Sequence, residues 1–274
     1  MMSVREEILM TGIRASLRRV ARVAFGLAML AGALATPEAA NSDSPGAFDE
    51  RKRDAEIAEL RKEPLRPPAP GESLDQVRAI MERGLAGLDS IVCNVEKSKA
   101  RKEKGRRRYY LGQIEIQRGS GGRVALTRKG NTDEYVANDR VIWSIDHNKK
   151  EAQFIPASTP VVGQYVREAL DFNIFLALDA DTMRLRGSQS VAGEDCWLVE
   201  GKSPRNLART GVPVSKVRVW IAKSDGLPRM VHIPDDKDDL LIILSNIRCN
   251  TPINPARFQW SPPRGMKTKN IFGF

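Results

Sequence analysis

Two histidines, three cysteines and one acidic run are the residues of this chain that could do chemistry. His147 lies in a polar, turn-like stretch and His232 in a strand-like run before Pro234. A nucleophilic triad needs a base beside its nucleophile, and no signature nucleophile stands near either histidine. Cys93, Cys196 and Cys249 are too few for a four-cysteine zinc site or a disulfide scaffold. They allow one pair and leave one thiol over, and the sequence does not choose the pair. Asp235, Asp236, Asp238 and Asp239 could attract calcium, but the run lacks the central glycine and terminal glutamate of an EF-hand loop, and Lys237 interrupts it. A solvated turn is the expectation there. Gly119-Ser120-Gly121-Gly122 lacks the Lys-Ser/Thr pair of a phosphate loop and is expected to be a hairpin turn. No catalytic set, metal site or cofactor motif is visible, so a non-enzymatic protein without a cofactor is expected.

The net charge of +10 is concentrated in two places. Residues 1–35 carry +3 of it. The rest equals the excess of one run, where Lys97, Lys99, Arg101, Lys102, Lys104, Arg106, Arg107 and Arg108 surround only Glu103. A nucleic-acid protein would spread such residues over a folded face and interleave aromatics for stacking. This run falls between a helix-like and a strand-like segment, which suggests a solvated loop. Contact with an anionic lipid surface is the functional alternative. Nucleic acid is not an expected partner.

The N-terminus has the pattern of an export signal. Arg14, Arg18, Arg19 and Arg22 precede an uncharged apolar run, Val23 to Ala35. Ala33-Leu34-Ala35 supplies a small-x-small cleavage pattern, so the cut is expected after Ala35 and the mature chain in the periplasm. No uncharged apolar run reaches the ~20 residues of a spanning helix. Residues 36–72 are dense in proline and mixed charge, as in Pro64-Leu65-Arg66-Pro67-Pro68-Ala69-Pro70-Gly71, and read as a disordered linker.

From residue 73 the apolar residues become periodic, and residues 73–274 are expected to form one domain. Ser73 and Gln76 fit a capping box. Leu74, Val77, Ile80, Met81, Leu85, Leu88, Ile91 and Val92 then recur at helical spacing. Tyr110, Ile114 and Ile116 alternate with polar residues, and Val124 and Leu126 resume the alternation after the glycine turn. Further strand signals run to Ile155. Val162, Val166, Leu170 and Phe175 belong to an apolar helical stretch from Pro160 to Leu178. Strand signals return at Met183–Arg186, Cys196–Val199, Val217–Ala222, Met230–Ile233 and Leu240–Ile247. One helix, many strands, an inserted helical segment and more strands make an α+β domain with one large curved antiparallel sheet.

Within that order, Trp220-Ile221-Ala222-Lys223-Ser224-Asp225-Gly226-Leu227-Pro228-Arg229 resembles the strand–turn–strand of LolA-like outer-membrane lipoprotein carriers. Leu244 to Arg248, Asn254 to Phe258 and Ser261-Pro262-Pro263-Arg264-Gly265-Met266 resemble the family's closing segments, and Glu134 to Trp143 its earlier hairpin. The resemblance spans about Ser73 to Lys269 and implies a half-open β-barrel under a helical lid. Such a fold shelters acyl chains in an apolar cavity. Cavity-lining residues would be Tyr110, Ile114, Ile116, Val124 and Leu126 on the sheet, with Val162, Val166, Leu170 and Phe175 on the lid. All could equally be ordinary core. The family's lid-contacting arginine is matched best by Arg118 and next by Arg128, although Gly119 stands where the family often has proline. The implied protein is a monomeric carrier of acylated lipoproteins or lipids. An envelope interaction or sensor module on the same fold is the alternative.

Overall fold

The computed structural model describes residues 48–101, 107–159, 170, 178–202, 216–234 and 238–271. Among them are two α-helices, α1 (Glu50–Lys62) and α2 (Leu74–Ala86). Asp49 caps α1 by accepting from the amides of Arg51 and Lys52. Glu50 in the first turn, with Arg61 and Lys62 in the last, suits the helix dipole. Ser73 caps α2 by accepting from the Gln76 amide at 3.2 Å. Val77, Met81 and Leu85 form the buried stripe of α2. The apolar spacing predicts α2 as far as Val92, but the helix stops at Ala86 with Gly87 as its cap. Gly84 and Gly87 weaken helix near its end, and β-branched Ile91 and Val92 enter a strand instead.

Among the described residues, twelve strands form one sheet: β1 (Ser90–Arg101), β2 (Arg107–Gln117), β3 (Gly121–Arg128), β4 (Asn131–Ala137), β5 (Val141–Asp146), β6 (Glu151–Pro156), β7 (Arg184–Val191), β8 (Glu194–Lys202), β9 (Lys216–Ala222), β10 (Pro228–Ile233), β11 (Asp238–Cys249) and β12 (Lys267–Asn270). Their spatial order is β12-β6-β5-β4-β3-β2-β1-β11-β10-β9-β8-β7, so the sheet has two edges and does not close into a barrel. Every pairing is antiparallel except that of β12 with β6. The expected α+β class with one half-open antiparallel sheet is therefore observed. The glycine cluster turns β2 into β3, with Gly119 at φ 68°. Two meanders, β1–β6 and β7–β11, are joined where β1 pairs with β11, Ile91 opposite Cys249.

Alternation divides the sheet into two faces. The inner face carries α2 and the larger core, including Ile114, Ile116, Val124, Leu126, Trp197, Val219 and Leu244. The outer face is covered twice. α1 lies over one half, with Ile57 packed among Tyr109, Leu198, Trp220, Met230 and Leu241. The C-terminal segment lies over the other, where Trp260 meets Trp143 edge-on at 4.8 Å and joins Val136 and Ile145.

Residues 49–72 thus differ from the linker expected of 36–72; residues 36–47 lie outside the described residues. The mixed charges of α1 are aimed at partners on the sheet. Arg53 meets Glu96 at 2.8 Å, Arg61 meets Asp239 at 2.6 Å, and Asp54 accepts from Tyr109 Oη at 2.5 Å. In the proline-rich stretch Arg66 bridges to Ser188 on β7, and its backbone is part of the sheet's edge. Gln189 secures the end of α1 by donating to the Leu60 carbonyl at 2.5 Å.

Candidate functional site

The inner face forms one continuous apolar surface. Rows of side chains cross it from β6 to β8: Ile155, Ile142, Ala137, Ile116 and Ile91 on one side of the central pairing, then Leu244, Val219, Ile221, Val199 and Trp197. Four of the five sheet residues expected to line a cavity, Ile114, Ile116, Val124 and Leu126, are buried here, and Tyr110 packs partly buried against the same cluster. From the expected lid, Leu170 and Leu178 join this cluster. Leu170 rests on Gly122 of β3, where a Cβ would lie 2.9 Å from Leu170 Cδ2, so the strand is shaped to receive it. Val162, Val166 and Phe175 lie outside the described residues.

β6 lies next to one edge of the sheet and β7 forms the other, ten strand steps away. The outer face carries α1 and the C-terminal segment, whereas Leu170 and Leu178 pack on the inner face.

Arg118 follows directly on β2 and reaches α2. Its Nε donates to the Leu88 carbonyl at 2.8 Å and its Nη2 to the Leu85 carbonyl at 2.9 Å. A guanidinium thus satisfies carbonyls that the helix end leaves open and opposes the dipole's negative pole. The resemblance implied carbonyls of the lid for Arg118; the two carbonyls it holds here belong to the end of α2 and the turn after it. Arg128, its alternate, stands at the end of β3 with its guanidinium 5.9 Å from the Tyr110 ring.

The described part of the basic run lies in two paired strands rather than a solvated loop. Lys97 and Lys99 lie in β1, and Arg107 and Arg108 in β2; Lys102, Lys104 and Arg106 are outside the described residues, as is the side chain of Arg101. Strand alternation sends neighbouring charges to opposite faces. Arg107 turns outward and is buried against Asp239 at 2.6 Å. Lys97 turns inward and is only 3% exposed. An anionic-surface role shared by all eight residues does not fit that division.

Asp239 also departs from the expected solvated turn. Its carboxylate accepts from His232 Nε2, Arg61 and Arg107, each at 2.6 Å. Burial alone would raise its pKa, but these three donors outweigh it and hold the carboxyl well below its usual range. His232 is thereby part of a structural ion cluster beneath α1. His147 sits against Glu134 at 2.6 Å on the outer face. Burial pushes the Cys93 and Cys196 thiols up to about 12, so both remain protonated.

No protein-family profile matches the chain, and no curated protein matches it. Solved structures do. An uncharacterized conserved protein from Thermus thermophilus is similar over 73% of this chain and 99% of its own, at 14% identity and a TM-score of 0.48. The lipoprotein LppX of Mycobacterium tuberculosis is similar over 66% and 99%, at 16% identity and a TM-score of 0.42. A LolA superfamily protein from Nitrosomonas europaea is similar over 67% and 97%, at 14% identity and a TM-score of 0.35.

Proposed function

We propose that this protein is a non-catalytic periplasmic carrier that takes up the acyl chains of a lipoprotein or lipid on its inner face and hands them on. The observation carrying this reading is the continuous apolar inner face of an unclosed sheet, on which Leu170 seats against Gly122. An acyl chain that displaced part of this cover would gain ~0.8 kcal/mol per buried CH₂, which is ample for binding without any covalent step. The segment from residue 160 to Leu178 acts as the lid. Arg118 holds the end of α2 through the Leu85 and Leu88 carbonyls. The N-terminal 35 residues direct export and are removed.

The test is a native mass spectrum of the full-length gene product purified from an exporting host, followed by extraction of any bound lipid. The expected result is a discrete mass excess that disappears on denaturation, with an acyl species in the extract. A ligand-free mass that persists after incubation with lipids and acylated peptides would overturn the carrier reading. It would favour an envelope interaction or sensor module.

A further inference from the structure

A buried ammonium lies at the end of the apolar rows just described. Inner-face positions on β1 run Ile91, Cys93, Val95 and then Lys97, which is 3% exposed. Tyr110 stands directly opposite Lys97 on β2. Arg128 follows at the end of β3, one step beyond the pairing of Leu111 with Thr127. Lys97 Nζ lies 5.3 Å from the centroid of the Tyr110 ring, and the Arg128 guanidinium 5.9 Å from the same centroid. Arg128 Nε is buried without a hydrogen-bond partner.

Among the described residues, positive charge dominates this end of the face. Asp133 on β4 draws on Lys97, and burial and the neighbouring Asp146 both push its carboxyl up. Lys149 and His147 oppose that rise. Lys99, one pleat further along β1, adds positive charge beside Lys97. A buried donor left without an acceptor, as Arg128 Nε is, is costly, and an anion placed against it removes the cost. An ammonium and a guanidinium over one aromatic ring match the oxygens of a phosphate, the guanidinium with its fork and the ammonium as a point charge. Val95 and Leu126, next along the same rows, lead from this polar end onto the apolar surface.

We infer that Lys97, Tyr110 and Arg128 form the headgroup end of the acyl-binding face, and that the ligand is an anionic glycerophospholipid whose phosphate sits between the two cations. The inference rests on the acyl-binding reading above and adds the class of lipid to it.

The test uses the lipid-stripped full chain and three probes: a short-chain phosphatidic acid below its critical micelle concentration, the diacylglycerol with the same chains, and inorganic phosphate. Phosphatidic acid should bind about tenfold or more tightly than diacylglycerol, and phosphate alone should not saturate the protein at millimolar concentration. Lys97→Met combined with Arg128→Gln should reduce the preference to about twofold or less while leaving diacylglycerol affinity unchanged. Arg128→Gln alone, at a partly exposed position, should weaken the preference, and Lys97→Arg should keep it. Equal affinity for the two lipids, or a preference that survives the double variant, would overturn the headgroup assignment and leave the acyl reading standing. Saturable phosphate binding abolished by the double variant would assign the site to free phosphate, against a lipid. If neither lipid binds, the acyl reading and this one fall together.

Discussion

Lys97 sits where side-chain burial and charge conflict. Burial, helped by Lys99 and only partly opposed by Asp133, lowers its pKa to about 8. The unfolded chain therefore binds a proton that the folded protein releases between about pH 8 and 10.5. In that window the contribution of Lys97 to stability rises with pH, whereas at neutral pH its charge is a cost. Lys97→Met keeps the aliphatic stem and removes the charge. We expect it to stabilise the ligand-free protein at pH 7 by roughly 2–3 kcal/mol in urea unfolding, an advantage that shrinks by pH 10. A neutral or destabilising effect at pH 7 would show that the ammonium is fully compensated in the folded state. The sequence displayed Lys97 only as one member of a basic run. Its inward direction depends on the hairpin beginning at β1, and the helix-like spacing that continued as far as Val92 concealed that start.

At the scale of elements, two joints decide how the helices sit. α2 crosses the turn between β9 and β10 so closely that a Cβ on Gly84 would lie 2.3 Å from the Asp225 carbonyl oxygen. Gly226, at φ 75°, would place a Cβ 2.7 Å from the Ile80 carbonyl oxygen. Gly84→Ala in an ordinary exposed helix would stabilise by ~1 kcal/mol. Here the sign should reverse, with a loss of about 1–3 kcal/mol in thermal or chemical unfolding, because backbone meets backbone. The second joint is Glu72, which ends the proline-rich stretch. It accepts from Trp197 Nε1 at 2.9 Å, from Lys223 Nζ at 2.8 Å and from the Ala69 amide at 2.9 Å. The Lys223 hydrogen bond is the main force holding its carboxyl at about 2, with smaller help from Ala69 and Trp197 against burial. A depressed carboxylate contributes stability above its unfolded pKa near 4.5 and loses it as pH falls towards 2. Screening by nearby water trims that contribution to about 1–2 kcal/mol. Tryptophan fluorescence should report an acid transition in this window, and Glu72→Gln should flatten it; an unchanged titration would remove Glu72 as the clasp. Most strands were legible from alternation and the turns from Gly and Asn-Asp pairs, because these signals are local. α1 was not. Its charges resemble a solvated surface until their partners Glu96, Tyr109 and Asp239 are brought beside them from distant parts of the chain. The Asp-rich turn misled for the same reason, since Asp239 gains its three donors only through the fold.

At the scale of the whole molecule, the half-open sheet was legible as a class but its strand order was not. Alternation identifies which residues share a face, and nothing in it says that β1 will take β11 as its neighbour. The central pairing of Ile91 with Cys249 has a consequence in time. A chain that appears from its N-terminus presents β1 long before its mate exists, so the exposed flank of the first meander must wait, apolar and unpaired, until nearly the last strand arrives. Closing so long a loop is slow and leaves the half-made molecule prone to self-association. Speed of maturation is therefore governed by the last quarter of the chain, and a truncation before Cys249 would leave a sticky half-sheet, not a smaller version of the protein.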